Sequence, residues 1–259
     1  MPRPLRIAYL TGEYPAVSHT FILREVLALR RLGVEVTTCS IRRTGPEHHR
    51  GPDERQAAAT TFNVIDAAKN PRTGLAALFW SLARPRRLGR TIRLALATRP
   101  AGVKATVWQA FYLLEAMVLA RHLARQGVDR IHNHFAMASS SVAMLASELG
   151  GIPYGFTLHG PADFQDTGRW RLDVKIAGAT YMACISRFAR SQACCIPAPS
   201  IRTSCKSSIA GWSPTATAPT RTAPPAAMSC SSAAWPPPRA FRCCWKPLPA
   251  PAPPFPTPA

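Results

Sequence analysis

The chain has 259 residues, of which 47% are hydrophobic, and a formal net charge of +19. This length is sufficient for one large domain, or for one ordinary domain and a remnant, and it excludes a long multidomain array. The charge favours anionic partners, either nucleic acid or the negative cytoplasmic face of a membrane.

The composition changes sharply along the chain. Sixteen of the 26 prolines lie between Pro197 and Pro258, and six of the eight cysteines lie at Cys194 or beyond. All 13 acidic residues come earlier, the last being Asp173. Residues 1–192 hold 26 lysines and arginines and therefore stay strongly basic by themselves. The totals thus describe two unlike segments.

The start of the chain carries no signal-peptide pattern. Residues 1–6 lead directly into the apolar run Ile7–Leu10, which is too short for a signal peptide or a membrane span. Cys39 and Cys184 are the only cysteines before residue 194, so a disulfide framework is not expected there. These features favour a cytoplasmic protein.

The first 41 residues predict a strand, a helix and a second strand. Leu5–Leu10 is typical of a buried parallel strand, with a turn at Thr11 and Gly12. Ser18 is a candidate cap for a helix that ends at Gly33, and residues 34–41 form the next strand. This order predicts a right-handed βαβ unit.

Residues 42–123 contain few strand signals. Residues 42–59 are polar and interrupted by glycine and proline, which predicts a loop, whereas 75–123 are mostly helical with breaks at Pro85 and Pro100. Five arginines of the helical part lie beside bulky apolar residues, namely Arg84, Arg86, Arg87, Arg90 and Arg93. Such a segment suits an anionic membrane surface, and an ordinary solvated helix face is the equal alternative.

The later part again alternates strands and helices. Strands are predicted at 128–132, 153–158 and 179–185, with a helix at 137–149 between the first two. The alternation predicts an α/β fold with a Rossmann-like, doubly wound parallel sheet. Ligands of such sheets bind at the carboxyl ends of the strands, where Gly12, His132, His134, His159 and Ser186 fall.

Four motifs then make the pattern specific. They are Thr11-Gly-Glu-Tyr-Pro15 with Ser18-His-Thr-Phe21, Ile131-His-Asn-His-Phe135, Phe156-Thr-Leu-His-Gly160 and Ile185-Ser-Arg-Phe188. In order and spacing they resemble the amino-terminal domain of bacterial glycosyltransferase family 4, which has the GT-B fold and includes enzymes of exopolysaccharide and colanic-acid type. His19 stands where that family usually has a glutamate.

The resemblance implies a retaining, nucleotide-sugar-dependent enzyme with residues 1–190 as its acceptor-side domain. It implies that His159 is the catalytic residue and donates a hydrogen bond to the donor sugar. Gly12, Gly160 and Ser186 would contact the donor, which is a substrate, and no separate cofactor is implied. The acceptor, a glycan or a lipid-linked glycan, would lie against Ser18, Thr20, Phe21, His132 and His134.

Simpler interpretations exist for most of these residues. A histidine at a strand end is more often structural than catalytic, and Gly12 alone would be an ordinary turn glycine. His132 and His134 could share a face and bind a metal, but no third ligand lies near them in the sequence, so no metal is predicted. Glu13 and Asp163 are acid/base candidates that nothing in the sequence positions.

Residues 191–259 have no hydrophobic periodicity and many prolines, which predicts a disordered tail or a native proline-rich linker. A displaced reading frame explains the composition better. Moving the frame back by one base turns codons 228–247 into a segment that can read VLFVGRLAAAKGVPVLLEA, and codons 206–219 into VVHCGVEPDRYRP. Both strings resemble the start of the nucleotide-sugar-binding domain of the same family.

The sequence therefore predicts a glycosyltransferase of bacterial exopolysaccharide or lipid-linked glycan biosynthesis that is truncated and inactive as written. It is expected in the cytoplasm, with a peripheral position on the inner face of the cytoplasmic membrane as one option, and without nucleic acid as a partner. The alternatives are a basic nucleic-acid-binding protein and a non-catalytic, membrane-associated remnant. The arginine cluster lacks interleaved aromatic residues and a helix-turn-helix signature, which argues against nucleic acid.

Overall fold

A computed structural model describes residues 3–196. Within this range the strands are β1 (Arg6–Glu13), β2 (Glu35–Arg42), β3 (Phe62–Asn63), β4 (Arg130–His134), β5 (Tyr154–Leu158) and β6 (Tyr181–Cys184). The helices are α1 (Thr20–Arg31), α2 (Pro52–Thr60), α3 (Val64–Lys69), α4 (Pro71–Leu82), α5 (Pro85–Thr98), α6 (Val103–Gln126), α7 (Ala138–Gly150), α8 (Thr167–Trp170), α9 (Leu172–Gly178) and α10 (Arg187–Cys194).

The strands form one parallel sheet in the order β3-β2-β1-β4-β5-β6. This is the strand order of a Rossmann fold, and it confirms the predicted fold class. The order reverses between β1 and β4, which opens a crevice at the carboxyl ends of these two strands. The crevice is the expected ligand site of such a sheet.

Each face of the sheet has its own apolar core, because successive side chains of a strand point to opposite sides. Ala8 and Leu10 of β1 pack into the larger core with α6 and α7. Tyr9, between them, packs into a smaller core with Ile22 and Val26 of α1. The alternation along β1 therefore fixes which helices cover which face.

Proline and glycine set many of the helix ends, as the sequence predicts for Pro85 and Gly33. α4 and α5 begin at Pro71 and Pro85, where the missing N–H costs no helical hydrogen bond. Gly33 and Gly127 follow α1 and α6 with φ values of 81° and 64°, a backbone region that favours glycine.

Three local predictions are wrong. The predicted loop at 42–59 contains α2, which begins at a proline. β1 runs through Gly12 to Glu13, so Gly12 lies in a strand and not in a turn. Ser18 does not cap α1, since the cap position is His19 and its side chain makes no capping hydrogen bond.

One helix in the described range, α6, is long and apolar enough to cross a membrane by length and composition. About a third of its most apolar window is buried inside the protein. The core helix of a soluble protein passes the same test.

The described residues all belong to one compact unit. α10 continues past the predicted domain boundary at residue 190 to Cys194. The predicted disordered tail and the displaced frame lie, from residue 197 onward, outside the described residues.

Two glycines give a matched test of the packing. A methyl group added at Gly155 in β5 would overlap the ring of Tyr181, whereas one at Gly89 in α5 meets nothing within 4 Å. We expect Gly155→Ala to lower the free energy of unfolding by about 2 kcal/mol through overpacking. Gly89→Ala should raise it by about 0.5–1 kcal/mol, because alanine is the better helix former. Urea denaturation of both variants checks this, and equal effects would contradict the packing described.

Candidate functional site

The crevice between β1 and β4 collects histidines from three separate parts of the chain. His132 and His134 lie at the end of β4, His159 follows β5, and His19 precedes α1. The rings of His132 and His134 lie 4.7 Å apart, and those of His134 and His159 lie 5.1 Å apart. The structure thus brings together the three histidines predicted from the sequence.

Hydrogen bonds link these rings to each other and to the sheet. Nδ1 of His134 lies 2.9 Å from Nε2 of His159. Nδ1 of His132 lies 2.7 Å from the Tyr181 hydroxyl, and its Nε2 lies 3.2 Å from Oγ1 of Thr157. Both ring nitrogens of His132 are therefore engaged, which suits a structural role for this residue.

Burial keeps the central histidines neutral. It lowers the pKa of His132 to about 4 and that of His134 to about 2, with the neighbouring histidines adding to the effect. Burial also lowers the pKa of His159, although Asp163 opposes that change. A neutral imidazole has one donor and one acceptor nitrogen, so the direction of each hydrogen bond matters.

Glu25 of α1 indicates that direction. Its Oε1 accepts a hydrogen bond of 2.7 Å from the Tyr9 hydroxyl, and its Oε2 lies 3.9 Å from Nε2 of His134. A carboxylate favours a proton on that buried nitrogen, so Nδ1 of His134 accepts from Nε2–H of His159. In this arrangement Nδ1 of His159 is an acceptor. For Nδ1 of His159 to donate a hydrogen bond to the donor sugar, both His134 and His159 would need the opposite tautomer.

Glu25 is also the third metal-ligand candidate that the sequence did not reveal. Potential ligand atoms of Glu25, His132 and His134 lie within 4.8 Å of one another. Binding of an ion would require His132 to release Tyr181 or Thr157, since both of its nitrogens are hydrogen-bonded. These three residues are of the types that bind zinc, but His132 has no ring nitrogen free to bind an ion.

A buried carboxylate holds the loops that carry the site. Oδ2 of Asp163 accepts from the backbone N–H of His159 at 2.6 Å, and Oδ1 accepts from that of Ala136 at 2.7 Å. Lys175, also buried, donates from Nζ to the carbonyls of Ala136 and Met137 at 2.8 and 2.9 Å. Asp163 and Lys175 thus tie the segment after β4 to the segment after β5.

Two backbone conformations shape the same edge. Phe135, directly after His134, has a φ of 70°, which is uncommon for a bulky residue. Its ring lies 4.6 Å from that of His159, while the ring of Phe21 lies 4.8 Å from it. Gly160 has φ 153° and ψ −158°, a conformation that is essentially restricted to glycine. The backbone conformation at position 160 therefore requires the glycine that follows His159.

The remaining predicted residues lie around this cluster. A Cβ added to Gly12 would meet nothing within 4 Å, so the space beside it is open. Ser18 and Thr20 are exposed at the start of α1. Ser186 accepts a 3.1 Å hydrogen bond from the N–H of Ala189 and so caps α10. The acid/base candidate Glu13 is exposed at the end of β1, whereas Asp163 is buried and fully engaged by the backbone.

Comparison with known proteins gives little further guidance. No protein-family model matches the sequence, and no curated protein matches it. A crystal structure of MurG from Acinetobacter baumannii is similar over 72% of this chain, with a TM-score of 0.39 and 10% sequence identity. The similar part covers 42% of the length of that MurG chain.

Proposed function

We propose that residues 3–196 are the acceptor-side domain of a retaining, nucleotide-sugar-dependent glycosyltransferase of bacterial exopolysaccharide or lipid-linked glycan biosynthesis. The observation that carries the proposal is the position of His159. It lies at the carboxyl edge of a Rossmann-type sheet, beside the point where the strand order reverses. The four family-4 motifs of the sequence all contribute residues to this edge.

The surroundings of His159 suit a residue that positions a sugar. Phe21 and Phe135 pack on its ring, His134 binds one ring nitrogen, and Asp163 holds its backbone. A fixed ring of this kind holds a substrate hydroxyl in one geometry, which is the main contribution of a positioning group to rate. A sugar hydroxyl can both donate and accept, so it can pair with Nδ1 in either tautomer.

The donor sugar would enter from the side of Gly12, Gly160 and Ser186. Open space beside Gly12 and the absence of a side chain at Gly160 allow a diphosphate to approach the backbone. The cluster itself supplies neutral histidines and carboxylates, so the cations that stabilise a leaving diphosphate would come from the second domain. In our proposal the codons for that domain follow residue 192, displaced by one base.

The exposed surface of helices α4 to α6 suits a peripheral position on an anionic membrane. Exposed apolar side chains cover α4, α5 and the first half of α6, and they include Phe79, Leu96, Val103, Trp108 and Phe111. Arg86 and Arg93 are exposed beside them on α5. Apolar side chains flanked by arginines are the pattern of an interfacial helix.

Glycosyl transfer by two forms of the chain tests the proposal. The 259-residue chain should give no transfer with a panel of nucleotide-sugars, because half of the interdomain cleft is missing. The chain expressed with its frame restored by one base after codon 192 should transfer from one of them. His159→Ala in that form should lower kcat/KM by about a hundredfold or more, which is the range expected for a lost transition-state contact.

His49→Ala is the matched control, because His49 lies outside the cluster and bonds Thr44 instead. It should retain most of the activity of the restored form. Clear transfer by the 259-residue chain would overturn the proposed loss of activity, and an active His159→Ala variant would overturn the proposed role of His159. The gene sequence around codons 185–200 provides an independent check, since a long open frame one base away is required.

A further inference from the structure

A cavity separate from the histidine cluster opens at the carboxyl edge of the sheet, on the other side of the segment that follows β4. Its volume is about 500 Å³, which is within the range of small-molecule sites. It lies between the first turns of α6 and α7 and the short helices α8 and α9. The histidine cluster does not line it.

The cavity combines positive charge with aromatic surface. Four cationic side chains line it, namely Arg42, Lys104, Arg169 and Lys175. Trp108, Tyr112 and Trp170 supply the aromatic walls. Among the described residues its lining contains no carboxylate. The carboxyl of Glu115, which interacts with Arg42, is buried, and burial raises its pKa to about 7.

Lys175 gives this cavity a fixed donor. Its side chain is 1% exposed, and Nζ donates to two carbonyls. Burial lowers its pKa to about 7, so the protonated form, which an anionic ligand favours, is the one that offers a third N–H to a ligand. The ring of Trp170 lies 5.5 Å from Nζ and 5.5 Å from the guanidinium of Arg169. The indole therefore lies within cation–π distance of both basic groups.

We infer that this cavity binds a phosphate or diphosphate group that carries a sugar or an apolar group. Arginine and lysine pair with phosphate oxygens through charge-assisted hydrogen bonds. The indole and phenol rings offer flat surfaces on which a sugar ring or an alkyl chain can lie. Identification of this ligand as the acceptor rests on the proposed function, whereas the binding of phosphate does not.

The cavity is connected to His159 through the protein. Lys175 holds the carbonyl of Ala136, whose N–H binds Asp163, which in turn binds the N–H of His159. A phosphorylated ligand in the cavity would therefore lie beside the rigid segment that ends at the histidine cluster. This geometry suits an acceptor whose phosphate is bound away from the hydroxyl that reacts.

Titration calorimetry of the 259-residue chain tests the inference. The probes are inorganic diphosphate, glucose 1-phosphate and monomeric dihexanoyl phosphatidic acid, each at low and moderate salt. The double variant Lys104→Gln/Arg169→Gln removes two exposed cations of the cavity and should weaken binding at least tenfold. The matched control Arg31→Gln/Arg125→Gln removes two exposed cations near the amino edge of the sheet and should change binding less than twofold.

If glucose 1-phosphate binds the original chain but not the cavity variant, the result supports a soluble ligand. If the phosphatidic acid behaves in this way, the result supports a lipid headgroup as the ligand. Failure of all three probes to bind saturably, or equal weakening by the two double variants, would overturn the inference. Thermal unfolding confirms that each variant is folded. No donor nucleotide takes part, so these outcomes are independent of the transfer assay.

Discussion

Lowering the pH from 7 to 5 is expected to reduce the free energy of unfolding by about 4 kcal/mol through His132 and His134 together. In the unfolded chain both histidines titrate near their ordinary pKa of 6.5. In the folded chain burial lowers their pKa values to about 4 and about 2, so they stay neutral at pH 5. At pH values between the folded pKa and 6.5, the unfolded chain binds more protons than the folded chain. The free energy of unfolding therefore falls as the pH falls.

The size of the effect follows from the width of this window. For each histidine, the free energy of unfolding falls by about 1.4 kcal/mol for every pH unit below 6.5 until the folded pKa is reached. The loss per histidine is about 2 kcal/mol at pH 5. Above pH 6.5 both states are neutral and the contribution is constant. His122, whose pKa burial lowers to about 4, adds to the loss in the same direction.

The variant His134→Gln isolates one part of this effect. Urea denaturation of both proteins at pH 7 and pH 5 gives two losses of stability, and the difference between the losses cancels all other titrating groups. The loss should be smaller by about 2 kcal/mol in the variant. An equal loss in the two proteins would show that His134 is not buried in its neutral form.

Replacement of Asp163 by alanine is expected to lower the free energy of unfolding by about 3 kcal/mol at pH 7. The carboxylate is 2% exposed and accepts two short hydrogen bonds from backbone N–H groups. Its removal leaves both groups without this partner and removes a negative charge that opposes the lowering of the Lys175 pKa by burial. Denaturation by urea, followed by circular dichroism, measures the change.

Two further variants separate the causes. Asp163→Asn keeps the shape but loses the charge and presents an amide N–H₂ to one of the two donors, so it should recover less than half of the loss. Asp53→Ala removes an exposed carboxylate from the first turn of α2 and should cost less than about 1 kcal/mol. A loss in Asp163→Ala no larger than that of Asp53→Ala would contradict the role described.

Much of the fold could be predicted because strands and helices repeat at different periods. Leu5–Leu10 and residues 153–158 are short apolar runs, and each lies in a strand that begins within one residue of the expected place. α2 was missed because its apolar side chains are adjacent alanines, of which only Ala57 is buried. β3 has two residues, which is too short to show any alternation.

The site could be predicted only in part, for a related reason. His132, His134 and His159 were found because each follows an apolar strand, and the carboxyl ends of neighbouring parallel strands meet at one edge. Glu25 was missed because its approach to His134 depends on how α1 packs across Tyr9. The sequence does not position Asp163, and Lys175 lies in no motif, because their partners are backbone groups remote in sequence.

The two outermost strands of the sheet have a consequence for the behaviour of the folded domain in crowded solution. β3 has two residues and β6 has four, whereas β1 and β2 in the interior have eight each. A short edge presents few free backbone groups on which a strand of another molecule could add. Between residues 3 and 196 the two outermost strands therefore offer little backbone for edge-to-edge aggregation, and β1, one of the two longest strands, has partner strands on both sides.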